Sequence, residues 1–282
     1  MIYSNSWTQF VTKLIVHPAT TVLLNAYLQR PAHASCLVGQ NGMGLGTLAR
    51  ELASRVADSG QPQEIIQPDD KGLIAIDRIR ELYRHTRTTA AGRRPIIIDD
   101  ADSMSLDAQH AFLKLLEEPA SHIYFILTSH SPDRLLPTVR SRLQVIPVRP
   151  ISSEQSAAAL DTFDLSETER RQTLFLAAGR PAELIRLASD DGRLAEQGVI
   201  VGDARTFLSA GLYERLALTK RYTDRAAALQ LLAMCAELLK FSLLKQAQAQ
   251  NVAGMAHLET AMTRIQANGH VRTHLMWLAA TL

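Results

Sequence analysis

The chain has 282 residues, 46% of them hydrophobic, and 30 basic against 28 acidic side chains give a formal net charge of +2. That length exceeds one small core and fits two or three modest domains, the apolar share excludes wholesale disorder, and the near-balanced charge excludes bulk attraction as a basis for nucleic-acid binding. No apolar run approaches the ~20 residues of a membrane helix, and two cysteines, Cys36 and Cys235, are too few for a disulfide framework or a Cys-based zinc module, so a cytoplasmic location is expected.

The first eighteen residues, MIYSNSWTQFVTKLIVHP, lack the basic-then-apolar layout of a signal peptide and read as an amphipathic helix. A strand over 34–38 is predicted to feed a glycine-rich turn, followed by a helix over 45–57. A short strand at 64–66 and a helix over 74–85 come next. The β-branched run Pro95-Ile96-Ile97-Ile98 predicts a buried strand. Ser105 opens a helix through 117, which Pro119 ends. Strands over 123–127 and 143–147 complete an alternation that marks a parallel α/β sheet. After Pro150 the strands stop. Helices are predicted at 155–160, 167–177 and 181–188, with Gly179-Arg180-Pro181 as a break, and Leu/Ala-rich amphipathic helices follow from about 203. The composition shift at Pro150 and the glycines between Gly192 and Gly202 set the expected domains at 1–149, 150–195 and 196–282.

Two elements carry chemistry. A phosphate-binding loop reads G-x-x-x-x-G-K-[ST]: backbone amides cradle the phosphates, the Lys reaches the β/γ-phosphates, and the hydroxyl holds Mg²⁺. In Gly39-Gln40-Asn41-Gly42-Met43-Gly44-Leu45-Gly46-Thr47, Gly39 and Gly44 keep the spacing, but Leu45 replaces the Lys and Gly46 the hydroxyl residue. About fifty residues on, the apolar strand ends in Asp99-Asp100-Ala101-Asp102. In P-loop ATPases such a tip holds Mg²⁺ through its first carboxylate, here Asp99, and polarises the attacking water with the next. Asp100 is one methylene shorter than the usual Glu. Together these outline an ATPase without its working side chains.

The block from Pro95 to Ser152 resembles the central region of the bacterial clamp-loader ATPases of the AAA+ superfamily, above all the delta-prime type of DNA polymerase III. The resemblance rests on Asp99-Asp100-Ala101-Asp102, on Ala111-Phe112-Leu113-Lys114-Leu115-Leu116-Glu117-Glu118-Pro119, on the run from Leu127 to Pro132, and on Leu135-Leu136-Pro137-Thr138-Val139-Arg140-Ser141-Arg142. Ile76-Asp77-Arg78-Ile79-Arg80-Glu81-Leu82 is also similar to that family. It implies an α/β AAA+ core with a P-loop, then a small helical lid and an all-α collar. Ser141-Arg142-Leu143 stands in the place of the family's S-R-C signature. The resemblance makes Arg142, flanked by Ser141, an arginine finger that enters the ATP site of a neighbouring subunit, a role suited to a rigid, permanently charged fork. Leu143 replaces a Cys that packs rather than reacts.

The resemblance also places a first sensor within Thr128-Ser129-His130, at His130, where relatives use Thr or Asn, and a second sensor at Ala182, where active relatives carry Arg; Arg180 is close by. The four-cysteine zinc module that usually follows the glycine-loop helix is missing. His270 and His274 lie i,i+4 with no third ligand, so packing or exposure is expected rather than a metal.

Three functions are weighed. The first is a clamp-loader subunit that hydrolyses no ATP itself. It would assemble with ATPase subunits and a delta subunit in a hetero-pentamer, act with the sliding clamp on primer–template DNA, and use neither ATP nor a membrane; the loop would be empty or hold a phosphate or sulfate. The second is an active gamma- or tau-like motor with a non-standard loop, in which Gly42, Gly44 and Gly46 nest an anion and Thr47 moves into metal range. The third, a free-standing DNA binder, rests on Arg78, Arg80, Arg84, Arg87, Arg93 and Arg94, which read either as a solvated helix face or as a phosphate-facing surface.

Overall fold

A computed structural model describes residues 15–58, 64–86, 92–245 and 249–282; the helix expected over 1–18 falls almost wholly outside them, as does Arg87. The chain divides into two compact units, 1–189 and 190–282.

In the first unit, α1 (Pro18–Gln29) precedes β1 (Ala34–Val38), α2 (Leu45–Val56), β2 (Glu64–Ile66), α3 (Ile76–Thr86), β3 (Arg94–Ile98), α4 (Leu106–Glu117), β4 (Ile123–Ser129), the short α5 (Pro137–Arg140) and β5 (Gln144–Pro147). The strands pair in parallel in the order β2-β3-β4-β1-β5. Period-two alternation sorts their side chains into two cores. Cys36, Ile96, Ile98, Phe125 and Leu127 face one side and pack with Ile79 and Leu82 of α3 and with Ala108, Phe112 and Leu115 of α4. Leu37, Ile97, Ile126 and Ile146 face the other and pack with Leu24 and Tyr27 of α1 and with Leu48, Leu52 and Val56 of α2. Both faces of the sheet are therefore covered, which accounts for the unbroken apolar run at 96–98.

The strands and helices predicted for this unit lie within two residues of their expected positions, and the short α5 comes in addition to them. Helix α1 was not predicted. It starts where Pro18 occupies its first turn and the His17 Nδ1 accepts from the Ala19 N–H at 3.1 Å, a start signal that sequence reading passed over. Beyond β5 come α6 (Ser153–Leu160), α7 (Glu167–Ala177) and α8 (Pro181–Ser189). Ser152 and Ser166 each close a capping box, with Gln155 and Glu169, so both helix starts are fixed locally.

The second unit is helical: α9 (Asp191–Ser209), α10 (Leu212–Thr219), α11 (Arg225–Lys245), α12 (Ala249–Gln266) and α13 (Val271–Thr281). Its core joins Ala204, Phe207, Leu231, Cys235, Leu258, Ile265 and Leu278. The glycines at 192 and 202 do not break the chain, because α9 runs through both and through the boundary expected at 195/196. Gly202 has no heavy atom within 4 Å of a would-be Cβ, whereas a Cβ at Gly192 would meet the Asp190 carboxylate at 3.3 Å. Gly202 is thus a helix position where glycine costs about 1 kcal/mol of propensity and nothing in packing. Helix α11 is long and apolar enough by composition to cross a membrane, yet Ala228, Leu231, Leu232 and Cys235 line the core of this unit.

Candidate functional site

Strand order brings the C-terminal ends of β3, β4 and β1 side by side, with Ile98 opposite Leu127 and Val38 opposite Ser129. The residues that follow each strand, Asp99, His130 and Gly39, thus meet at one edge, where parallel α/β sheets place ligands.

The loop after β1 passes twice through left-handed backbone. Gly42 and Gly44 have φ of 87° and 79°, left-handed values that favour glycine, and Gly44 caps α2. Its side chains are turned elsewhere. Leu45 is 2% exposed, in the core with Met43, Leu37, Ile97 and Val148. Gly46 lies against the acidic tip: a Cβ there would be 3.0 Å and 3.2 Å from the two carboxylate oxygens of Asp99. Thr47 is exposed one residue farther along α2. From α8, the Glu183 N–H donates to the Gly42 carbonyl at 3.0 Å. Arg180 spends its guanidinium on the carbonyls of Leu176 at 2.7 Å, Ala177 at 3.0 Å and Asn41 at 3.5 Å. Ala182 lies beside it in the first turn of α8 with only a methyl group to offer.

Protein partners likewise take up the acidic tip. Asp99 accepts from the Thr128 hydroxyl at 2.7 Å and from the Gln67 amide at 3.2 Å. The same hydroxyl accepts from the Asp100 N–H at 2.8 Å, so Thr128 threads the two aspartates into one chain. His130 sits between tip and loop. Its backbone N–H donates to Asp102 at 3.2 Å, and its Nδ1 lies 2.8 Å from the Gly39 carbonyl. A carbonyl only accepts, so the network assigns the proton to Nδ1. The Nε2 lies 3.3 Å from Asp100 Oδ1. Burial raises the Asp100 carboxyl above the usual aspartate range; His130 opposes this, while Asp99 and Asp102 add to it. Asp100 also adopts φ of 52°, which aspartate tolerates better than most residues. The loop is tied to the acidic tip through His130, and no Lys or Arg stands between Gly39 and Thr47.

Arg142 is elsewhere and differently placed. It follows α5, its side chain 39% exposed. Nη1 donates to the Thr138 carbonyl and Nη2 to Glu117 Oε1, both at 2.9 Å. Ser141 donates its hydroxyl to the same Thr138 carbonyl at 3.0 Å, so its contribution is to the turn. Leu143 packs against the α4-side core. Arg140 pairs instead with Asp133 at 2.5 Å.

Sequence reading passed over two residues of this segment. Gln109, 3% exposed, donates to the carbonyls of Met104 and Arg134, each at 3.2 Å, and accepts from the Leu136 N–H at 2.7 Å. Its signal was an amide on the apolar stripe Ala108–Phe112–Leu115. Glu117 gave none.

The side chains described between Arg78 and Arg94 divide between α3 and the start of β3. Arg78 and Arg80 pair within α3 with Glu81 and Asp77 at 3.7 Å and 3.6 Å. Arg94 is held by Glu64 at 2.7 Å, and the Arg93 guanidinium lies 5.9 Å from the Tyr124 ring centre. His270 caps α13, accepting from the Thr273 N–H. Among the described residues no group of three or more His, Cys, Asp or Glu side chains is arranged to hold a metal.

A family model described as DNA polymerase III, delta subunit, matches residues 61–152, a span that takes in the acidic tip, α4 and Arg142 but not the glycine loop. The chain is 29% identical over 197 residues to the DNA polymerase III subunit delta' of Pseudomonas aeruginosa, covering 61% of this chain and 60% of that one. It is 29% identical over 152 residues to the Escherichia coli subunit of the same name, covering 52% and 45%. The matches thus span about half the length of these relatives. A replication factor C small subunit of Methanococcus maripaludis is 23% identical over 192 residues, covering 66% of this chain and 59% of its own. Among solved structures, a DNA polymerase III gamma-subunit-related protein of Thermotoga maritima superposes with a TM-score of 0.58 at 17% identity, over 93% of this chain and 97% of that one. The Thermotoga maritima RuvB Holliday junction branch migration motor gives 0.50 at 14%, over 74% and 84%. Both likenesses bear on the fold alone, which is that of the AAA+ proteins.

Proposed function

On the premise that this chain is a delta-prime-like clamp-loader subunit, we propose that it hydrolyses no ATP itself and supplies Arg142 to the nucleotide site of a neighbouring ATPase subunit. The observation that carries this reading is the fate of the Lys position. Leu45 is 2% exposed in the core, and an aliphatic side chain there neutralises no phosphate charge. The oxygens of Asp99 abut the Gly46 backbone, and His130 joins Gly39 to Asp100. These features support a loop kept for its turn rather than for nucleotide, with at most a simple anion such as phosphate or sulfate on its amides.

Arg142, its side chain 39% exposed, is the group assigned to act in trans. A guanidinium stabilises a γ-phosphoryl group as charge spreads over its oxygens, and such fingers are worth about 10³–10⁵ in rate. In this reading the lid and helical collar support assembly into a hetero-pentamer with ATPase subunits and a delta subunit. That cytoplasmic complex opens the sliding clamp and loads it onto primer–template DNA, with no membrane involved. The subunit then contributes architecture and one catalytic group.

The test is reconstitution with candidate motor subunits, clamp and primed DNA. Arg142→Ala is expected to remove the increment in stimulated ATPase that the wild-type subunit adds, while the isolated chain turns over no ATP. Stimulation indifferent to Arg142→Ala would defeat the role in trans. Turnover by the isolated chain at ordinary enzyme rates would instead favour a motor with a non-standard loop.

A further inference from the structure

We infer that Glu117 is the positioning residue of Arg142: it holds the guanidinium in the orientation that a neighbour's phosphate meets. The inference rests on the proposed role of Arg142 in trans and adds to it a residue that acts through the arginine rather than on the phosphate.

The geometry starts with α4. Its N-terminus is fixed by Ser105, whose hydroxyl accepts from the Ala108 N–H at 3.1 Å, and its body by Phe112, which meets Phe125 of β4 edge to face at 5.2 Å. Its last residue is Glu117, because Pro119 disfavours helical backbone at residue 118 and cannot extend the helix. The Glu117 carboxylate therefore projects from a rigid rod packed on the sheet. Arg142 reaches it from a different element, just after α5, and the two meet at 2.9 Å. The other terminal nitrogen is held by the Thr138 carbonyl, also at 2.9 Å.

Two anchors from two elements fix both the position and the plane of the guanidinium. An arginine carries five N–H donors in a fixed fork, so these two bonds leave donors to spare for phosphate oxygens. The end of α4 adds a second attraction, since unpaired carbonyls at a helix C-terminus favour a cation there. Without the carboxylate, a long side chain with free torsions samples many rotamers, and the fraction correctly placed falls.

The pair also sets the size of the effect. Arg142 and Glu117 are 39% and 51% exposed, and exposed pairs of this kind shift an equilibrium by about 1.4- to 5-fold. The carboxylate is thus strong enough to bias the finger and weak enough not to withhold it from a phosphate, which carries more charge.

The experiment uses the reconstituted complex with motor subunits, clamp and primed DNA, and compares Glu117→Ala, Glu117→Gln, Arg142→Ala and the double substitution Glu117→Ala/Arg142→Ala. Glu117→Ala is expected to lower the stimulated kcat by about two- to fivefold with the ATP KM unchanged, as for an interaction expressed in the transition state. Glu117→Gln keeps an oxygen that can accept from Nη2 and should recover part of the loss. In the Arg142→Ala background, Glu117→Ala should change nothing, because the pair acts as one unit.

Wild-type kcat for both Glu117 variants, alongside a clear loss for Arg142→Ala, would overturn the positioning role and leave the finger standing. An equal loss from Glu117→Ala with and without Arg142 would assign Glu117 to structure and overturn it too. Indifference to Arg142→Ala itself would remove both proposals together. Melting temperatures within a few degrees of wild type verify that each variant is folded; should Glu117→Ala fail this, Glu117→Gln alone decides by its kcat.

Discussion

Asp100 sits on a left-handed turn, its carboxyl raised by burial and by the neighbouring Asp99 and Asp102. A carboxyl whose folded-state pKa lies above its ordinary value of about 3.9 binds its proton more tightly in the fold than in the unfolded chain. Its contribution is favourable at low pH and is lost as pH rises through the window between the ordinary and the raised value. Asp100→Asn, which keeps a residue tolerant of left-handed backbone, is therefore expected to raise the urea midpoint at neutral pH. The gain should shrink on acidification through that window. A variant no more stable than wild type at neutral pH would contradict the electrostatic account. Leu45 makes a second case at this scale. Replacing it with Lys removes a buried apolar side chain and asks an ammonium to enter the core, at a cost of at least ~2 kcal/mol. Leu45→Lys should thus lower the unfolding free energy without giving measurable ADP binding by calorimetry, and adding Gly46→Thr would force a Cβ to within 3.0 Å of Asp99.

Helix α4 joins the acidic tip at one end to Arg142 at the other, and Gln109 ties it to the stretch before Arg142 by serving two carbonyls and one N–H. Gln109→Ala leaves those backbone groups without their partner, and each buried unsatisfied group costs about 1–3 kcal/mol. The expected result is a loss of roughly 2–4 kcal/mol and faster amide hydrogen exchange across 132–142, whereas unchanged protection there would refute the tie. Such elements were legible in the sequence to unequal degrees. The isoleucines at 96–98, the Ser105 cap and Pro119 mark their strand and helix because the local cause is strong: β-branched burial, a side-chain cap, a lost donor. The glycines at 192 and 202 lie within one helix, and at Gly202 the open space around it tolerates the residue. Gly39, Asp99 and His130 could be assigned to one site because parallel strand order puts strand ends together. The burial of Leu45, the amide ties of Gln109 and the reach of Glu117 depend on side-chain direction across elements far apart in sequence, which periodicity does not encode.

For the whole chain, the relevant fact is that each unit owns its core. Among the described residues, the buried cluster of the second unit draws on those between Ala204 and Ala279, so a fragment of residues 190–282 is expected to fold by itself into a cooperative helical body, with a sigmoidal thermal transition by circular dichroism. A broad, non-cooperative melt would show that it depends on the first unit. Each core also encloses one sulfhydryl. Cys36 is 1% exposed in the sheet and Cys235 is 0% exposed in α11, and burial pushes both thiols up to about 12. Neither presents the thiolate that alkylating reagents attack while its surroundings stay closed. The chain thereby carries two native reporters, and the rate at which iodoacetamide marks each sulfur, read by peptide mass, times the opening of one half of the molecule independently of the other.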